Sequence, residues 1–263
     1  MSGRLPSFGE ASRAALSLTL LRMRRGRAVW FAAAVGGLVV LMTLAIRLGG
    51  GVAPRVLWDA VVAWPLRYVV GVLVPFLFCA TALSEEVEAR TITYLFSRPA
   101  PRSALLVGKY AAGTAIGGLV VCASVLCVFL VAFSAGGGDD PVPWGELGRA
   151  LGGFALSTAC YGAMFLFFGV LLVDAPYLLC LLYVGLVEIP LSLLPSVVRV
   201  VSMSFHLTNV LGKAPHEQNP VLATWNPDVP VVASACVLGV MALLFLAGAL
   251  SMASGSEYRF GKA

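Results

Sequence analysis

The sequence predicts an all-α, polytopic membrane protein with six transmembrane helices. Apolar residues make up 59% of the chain and charged residues 12%, whereas soluble domains average roughly 45–50% and 25%. The apolar residues form runs from near the first residue to near the last, which leaves no length for a folded soluble domain. A spanning helix needs about 20 mostly apolar residues, because each adds about 1.5 Å across a hydrocarbon core of about 30 Å. We therefore expect a lipid bilayer to surround this chain.

Six stretches meet this length. The predicted spans are 28–46, 64–83, 110–135, 150–173, 176–194 and 229–253, within a transmembrane domain at 28–253. Residues 1–27 form an N-terminal segment and residues 254–263 a C-terminal tail. The first apolar run exceeds the roughly 7–15 residues of a cleaved signal peptide, which favours an uncleaved anchor. Arg67 is expected near enough to the end of the second span for its charged group to reach the headgroups.

The distribution of positive charge predicts the orientation. Lysine and arginine concentrate on the cytoplasmic side of membrane proteins, and with both termini inside that side carries twice as many of them as the outer side. The net charge of +5 therefore reflects membrane orientation. A nucleic-acid partner is not expected, because the basic residues form no stripe with interleaved aromatic residues. The sequence thus predicts cytoplasmic termini and a cytoplasmic connection at 84–109.

The N-terminal segment is predicted to form an amphipathic helix on the inner membrane surface. Ser7 and Glu10 have the spacing of a capping box. Leu16, Leu20 and Met23 fall on one helical face, which would dip below the headgroups while the arginines of the segment meet anionic lipids. A frayed basic tail is the alternative interpretation.

The connection 84–109 is the one long, densely charged loop on the predicted cytoplasmic side. Ser84 can cap a short helix whose first turn holds acidic residues, where the helix dipole favours them. The prolines between Arg98 and Arg102 end that helix, since proline lacks a backbone donor and disfavours helix in the preceding residue. The result is a charged elbow joined at both ends to spanning helices. An ordinary solvated loop is the alternative.

In this connection the chain resembles the permease subunits of ABC type-2 exporters. That family joins its second and third spans by acidic residues, Arg-Thr-Ile, a Leu, Ser-Arg-Pro, another Arg and a Gly-Lys pair. The matching residues here are Glu85, Glu86, Glu88, Arg90, Thr91, Ile92, Leu95, Ser97, Arg98, Pro99, Arg102, Gly108 and Lys109. The resemblance implies a coupling helix that docks on a separate ATPase. The residues it implies for coupling are Glu85, Glu86, Glu88, Arg90, Thr91, Arg98, Pro99 and Arg102.

The resemblance also implies an assembly of two permease copies, a homodimer, with two copies of an ABC ATPase subunit in the bacterial inner (plasma) membrane. The chain itself has no phosphate-binding loop, because its Gly-Lys pairs lack the earlier glycine and the following Ser or Thr of that motif. We therefore expect no enzyme activity, no catalytic residue, no metal and no cofactor in this chain. ATP and Mg would be bound by the partner ATPase.

The connection 195–228 is the longest predicted outer loop. Its apolar part is interrupted by polar residues and is too short and too polar to span. It could dip into the membrane as a re-entrant segment, since irregular backbone is tolerated there when protein covers it, or it could be a surface loop. The resemblance implies short re-entrant helices that form an outer gate.

Glu188 is the only acidic residue well inside a predicted span. A charge at the bilayer centre costs about 2.5–3.5 kcal/mol on insertion scales. The side chain is therefore expected to face the bundle interior, a cavity or a partner, or to be protonated. A place in the transport path is one interpretation, and simple reach to outer water is the other.

Three functions follow from these observations. The first is a permease that couples ATP hydrolysis by a separate subunit to export. The second is a polytopic scaffold or regulatory protein that moves nothing. The third is an ion-driven secondary carrier that uses Glu188, although the sequence shows no matching pair of broken helices in its two halves. The sequence does not indicate a substrate.

Overall fold

The computed structural model describes residues 7–80, 82, 102–134, 142–173, 175–193, 197–212 and 229–255. Every regular element in these ranges is helical, which confirms the predicted all-α fold. The α-helices are α1 (Phe8–Arg25), α2 (Arg27–Gly49), α3 (Pro54–Val61), α4 (Gly71–Cys79), α5 (Arg102–Phe133), α6 (Trp144–Leu171), α7 (Pro176–Tyr183), α8 (Ile189–Leu193), α9 (Met203–Val210) and α10 (Val231–Gly255). Two π-helices, Val62–Val70 and Val184–Glu188, and a 3-10 helix, Val197–Val201, complete the described elements.

Within the described ranges, five helices are long and apolar enough to cross a membrane. They are Arg27–Gly49, Pro54–Cys79, Ser103–Phe133, Trp144–Leu171 and Val231–Ser254. The fifth predicted span corresponds to a shorter apolar helix, Pro176–Leu191. A multi-pass membrane protein is thus confirmed. The count of six spans stays a prediction, because this helix is shorter than the roughly 20 residues that a span needs.

The second span begins earlier than predicted. Its helix starts at Pro54 and not at residue 64, because Leu57, Trp58 and Val61 already pack into the core. Arg55 and Asp59 interrupt the apolar character of this stretch in the sequence. The prediction that Arg67 lies near the end of the span is therefore wrong, since Arg67 lies well inside it, in the π-helix Val62–Val70.

Helix α6 is the centre of the bundle, with buried residues along its whole length. Glycines allow the closest contacts with its neighbours. A methyl group at Gly169 would lie 2.2 Å from the carbonyl oxygen of Ala80.

Glycines of α5 also approach α4 closely. A methyl group at Gly113 would lie 3.0 Å from Cys79 Sγ, and one at Gly117 would lie 3.5 Å from a ring carbon of Phe78. The beginning of α5 therefore presents its small residues to α4.

The N-terminal segment forms a helix with the predicted capping box. The Ser7 backbone N–H donates to Glu10 Oε2 at 2.8 Å, and the Glu10 N–H donates to Ser7 Oγ at 3.3 Å. Helix α1 crosses the beginning of α5 at Gly108, where a methyl group would lie 2.5 Å from the Ser12 carbonyl oxygen and 2.6 Å from Ala15 Cβ. The prediction of a helix is confirmed, and its place on the membrane surface stays a prediction.

The described part of the predicted outer loop lies along α6. The sulfur atoms of Met203 and Cys160 are 3.5 Å apart, whereas Gly212 lies beside the guanidinium group of Arg149. Cys160 and Arg149 are separated on α6 by roughly 16 Å, at about 1.5 Å per residue. Helix α9 therefore extends from the middle of α6 toward its first turns. This depth favours a re-entrant segment over a surface loop.

Candidate functional site

Glu188 is completely buried, with 0% of its surface exposed. Among the described residues, four donors surround its carboxylate. Oε1 accepts hydrogen bonds from Tyr161 Oη at 2.8 Å, Ser202 Oγ at 2.9 Å and the Ser204 backbone N–H at 2.6 Å. Oε2 accepts one from Tyr183 Oη at 3.2 Å. A buried carboxylate is tolerated when donors replace its water, so this group of five residues, called the Glu188 cluster below, satisfies that requirement.

The Glu188 cluster joins three separate parts of the chain. Tyr161 belongs to α6, Tyr183 and Glu188 to the helix Pro176–Leu191 of the fifth predicted span, and Ser202 and Ser204 to the start of α9. Ser202 is also the N-cap of α9, since its Oγ accepts a hydrogen bond from the Phe205 N–H at 3.3 Å. The carboxylate thus lies at the N-terminus of α9, where the helix dipole favours negative charge.

A π-helix positions Glu188. The Ile189 N–H bonds to the Val184 carbonyl oxygen, a hydrogen bond between residues five apart that defines a π-turn. This geometry brings Tyr183 and Glu188, which are also five residues apart, to the same side of the helix. Pro190 follows directly and has no backbone N–H to donate, so the irregular turn stands where regular helical bonding is interrupted anyway.

The other π-helix, Val62–Val70, positions Arg67 against α9. It contains Pro65, and the Gly71 N–H bonds to the Leu66 carbonyl oxygen. Arg67 donates to Thr208 Oγ1 on α9 at 2.5 Å and also to the hydroxyl group of Tyr68. Both ionisable residues that bond the 202–208 segment, Arg67 and Glu188, therefore lie in π-helices, which are frequent at functional sites.

Polar residues of α9 also attach it to the last helix. Ser234 Oγ lies 3.1 Å from His206 Nδ1 and accepts a hydrogen bond from Asn209 Nδ2 at 2.7 Å. The other ring nitrogen of His206 lies 2.7 Å from the Val200 carbonyl oxygen. His206 is thus a polar residue of the interior whose two ring nitrogens both have partners. Helix α9 is bonded to the second, fourth, fifth and sixth predicted spans at once.

These hydrogen bonds hold α9 against the bundle. The cluster places a carboxyl group fully out of water among donors from three elements, so separating α9 from Glu188 would leave a buried polar group short of partners. Such a state is costly unless water enters. The contacts therefore hold α9 against the bundle in a dry arrangement.

The structure places one of the sequence-predicted site residues at this site. Glu188 faces the bundle interior, and it does not reach the surface of the chain. Arg102 is the first residue of α5, but its side chain lies outside the described residues. The other predicted coupling residues also lie outside them, namely Glu85, Glu86, Glu88, Arg90, Thr91, Arg98 and Pro99. Their role in coupling stays a prediction.

Sequence reasoning did not identify Tyr161, Tyr183, Ser202 or Ser204 as partners of Glu188. The two tyrosines lie in apolar stretches that are typical of any spanning helix. The serines belong to the polar residues that interrupt the apolar part of the 195–228 connection. That concentration of polar residues in a buried segment was the available signal, because buried polar groups need partners.

Part of the chain matches a known protein family. Residues 66–176 match the model of a family described as ABC-2 family transporter protein. The match supports an ABC-2 type permease. It includes the whole connection 84–109 and therefore agrees with the resemblance seen in those residues. No curated protein matches the chain.

The family match covers only part of the site. Arg67 and Tyr161 lie inside the matched residues, whereas Glu188, Ser202 and Ser204 follow them. The match supports a permease component of an ABC transporter, and the ABC-2 permease family implies partnering with an ABC ATPase. The Glu188 cluster therefore connects a helix within the matched residues to the part of the chain that follows them.

Proposed function

We propose that this chain is the permease of an ATP-driven exporter, coupled through the connection 84–109 to a separate ABC ATPase. The family match across residues 66–176 supports the proposal, because it contains this charged connection together with the helices on both sides of it. In the proposed assembly, two copies of the chain and two ATPase subunits lie in the bacterial inner membrane, with the termini and the connection in the cytoplasm.

The Glu188 cluster is the proposed outer gate of this permease. In the closed state the carboxylate holds Ser202 and the Ser204 N–H, and Arg67 holds Thr208. Closure of the ATPase subunits on ATP would move the second and third spans through the connection between them. Because Arg67 lies on the second span, that movement would act directly on α9. Water entering the cluster would then replace the lost hydrogen bonds.

The first experiment tests docking of the ATPase. The double variant Arg98→Glu with Glu86→Ala changes the charges of the predicted coupling helix. It is compared with Arg55→Glu and Glu146→Ala, because that pair forms an exposed salt bridge of 2.9 Å at the other end of the bundle. We expect the first variant to lose ATPase co-purification and permease-stimulated ATP hydrolysis, and the control to keep both. Unchanged co-purification of the first variant would contradict the proposed docking.

The second experiment tests energy source and direction. Inside-out vesicles containing the permease and its ATPase are supplied with a cell extract, and their contents are profiled by mass spectrometry. ATP-dependent uptake of a compound or lipid supports export. Uptake driven by a proton gradient without ATP would support the secondary carrier, and loss of uptake in Glu188→Gln would then identify its ion site. A complex that binds the ATPase but changes no vesicle content would support the scaffold.

A further inference from the structure

The hydrogen bonds to Glu188 Oε1 have a largely fixed direction. The Ser204 backbone N–H, 2.6 Å from this oxygen, can only donate. Ser202 Oγ accepts the Phe205 N–H and donates to Oε1 at 2.9 Å. An ionised carboxylate only accepts hydrogen bonds, whereas a protonated carboxylic acid must also donate one. The bonds at Oε1 therefore suit an ionised carboxylate.

A chain of hydrogen bonds leads from this carboxyl group through α9 to Arg67. Arg67 donates to Thr208 Oγ1 at 2.5 Å, and the Thr208 hydroxyl group donates to the Ser204 carbonyl oxygen at 2.7 Å. The N–H of the same residue, Ser204, donates to Glu188. Every donor in this chain points from the guanidinium group toward the carboxyl group. The hydroxyl and backbone dipoles are thus aligned as the field between two opposite charges would align them.

Two other residues near Glu188 can carry positive charge, and both are directed to other groups. Arg199 is buried, and its guanidinium carbon lies 5.6 Å from the centroid of an aromatic ring of α9. The two ring nitrogens of His206 lie beside Ser234 Oγ and the Val200 carbonyl oxygen. In the described part of the chain, Glu188 is therefore linked to a cationic side chain through α9 and not by direct contact.

We infer that Glu188 is ionised in this arrangement of the chain and that Arg67 is its counter-ion, with Ser204 and Thr208 of α9 between the two charges. A buried anion without a counter-ion is costly. Ser204 and Thr208 are buried, so bulk solvent screens this pair less than it screens a surface pair. Arg67 is thus a positioning residue that acts on Glu188 through α9. Glu188 is a fixed anion that holds α9, and not a group that carries protons across the membrane.

Infrared difference spectroscopy of the full-length chain in detergent at neutral pH tests the charge of Glu188. A protonated carboxylic acid has a C=O stretching band above the amide bands, and a carboxylate has no such band. The spectrum of the original protein minus that of Glu188→Gln should show carboxylate bands and no acid band. Arg67→Gln should gain an acid band, because Glu188 takes up a proton when its counter-ion is removed. Arg67→Lys, which keeps the positive charge, should gain none.

Thermal unfolding in detergent tests whether the two charges act as a pair. Arg67→Gln should lower the Tm of the original protein more than it lowers the Tm of Glu188→Gln, because only the former is left with an unpaired buried charge. The control is Arg149→Gln, since the Arg149 guanidinium group lies beside Gly212, after the last turn of α9. Its effect on Tm should be the same in both backgrounds. If Arg67→Gln alone does not fold, recovery of folded protein in the double variant supports the pair.

Three results would overturn the inference. An acid band that is present in the original protein and absent from Glu188→Gln would show that Glu188 is protonated. Equal Tm losses for Arg67→Gln in the two backgrounds would show that the charges are not coupled. An acid band in Arg199→Gln but not in Arg67→Gln would make Arg199 the counter-ion. None of these measurements requires an ATPase or transport, so they do not depend on the proposed function.

Discussion

The hydroxyl group of Tyr161 lies 2.8 Å from Oε1 of Glu188, and 1% or less of either side chain is exposed. These residues are on different helices and 27 positions apart in the chain. The contact joins α6, the centre of the bundle, to the fifth predicted span. A hydrogen bond to a buried carboxylate contributes more to stability than one between neutral groups, so this pair is a suitable place to test the cluster.

Replacing Tyr161 by phenylalanine should destabilise the protein by about 1.5–3 kcal/mol, because a donor to a charged acceptor is lost. The matched control is Tyr110→Phe on α5, whose hydroxyl donates at 2.9 Å to the neutral carbonyl oxygen of Ala159. The control should cost only about 0.5–1.5 kcal/mol. Thermal unfolding in detergent, followed by size-exclusion chromatography with fluorescence detection, ranks the variants. Equal losses would mean that Glu188 adds nothing to its bond with Tyr161.

Alanine substitution should destabilise the protein at Ser202 but have little effect at Ser204. Ser202→Ala removes both the hydrogen bond to Glu188 and the N-cap of α9, with an expected cost of roughly 2–4 kcal/mol. Ser204 contacts Glu188 through its backbone N–H, and its Oγ has no hydrogen-bond partner among the described residues. Ser204→Ala should therefore be close to neutral.

The same unfolding assay checks this difference. Ser202→Thr, which keeps the hydroxyl group, should recover most of the stability lost in Ser202→Ala. A large loss in Ser204→Ala would show that the Ser204 hydroxyl has a partner of its own and that the cluster is assigned incompletely.

Much of this fold follows from the sequence alone. Hydropathy predicts the long spans because each must be apolar over its whole length, and the Ser7 and Glu10 pair predicts the start of α1 because capping is local. The start of the second span was missed because Asp59 interrupts the hydropathy signal while its neighbours Leu57 and Trp58 are buried.

The partners of Glu188 were missed for a different reason. Ser202 and Tyr161 are 14 and 27 positions from it, and their approach depends on a π-turn and on the path of α9. Helical periodicity describes contacts within one regular helix. It carries no information on where a helix becomes irregular, apart from the prolines at 65 and 190, so burial of Glu188 could be expected but its partners could not.

Two glycines on α5 should also respond oppositely to alanine. At Gly108 a methyl group would overlap α1, and overpacking of this kind costs about 1–3 kcal/mol. At Gly118 no described atom lies within 4 Å, so alanine there should stabilise the helix by about 0.5–1 kcal/mol. Limited proteolysis of α1 measures the effect, with faster cleavage expected for Gly108→Ala only. Equal cleavage of the two variants would contradict the close crossing of α1 and α5.

The N-terminus of α1 should loosen in acid. The Ser7 backbone N–H and then the Ser7 hydroxyl group bond to the Glu10 carboxylate and lower its pKa below the usual 4.5. A group whose folded pKa is lowered contributes stability above its unfolded pKa and loses that contribution as pH falls through the folded value. Hydrogen exchange of the first turns of α1 should therefore accelerate as pH falls below about 4.5, after correction for intrinsic rates.

Glu10→Gln is the control for this pH dependence. Glutamine can also complete a capping box but does not titrate, so the corrected exchange of this variant should not change over the same range. If the variant and the original protein lose protection in parallel, another group is responsible.

The π-turn that ends at Glu188 places one extra residue in the helix. Deleting a single residue between positions 184 and 187 would restore regular α-helical winding without rotating the flanking parts, because Tyr183 and Glu188 would then be four residues apart and would stay on one face. If the full sequence instead wound as a regular α-helix, Glu188 and the residues after it would rotate by about 100°, and the carboxyl group would point away from α6. The same geometry allows a rearrangement without unfolding, because an irregular turn can migrate along a helix and swap which side chains face inward. The fifth predicted span can thus rotate about its helix axis and change which side chains face the bundle, with little change in its length.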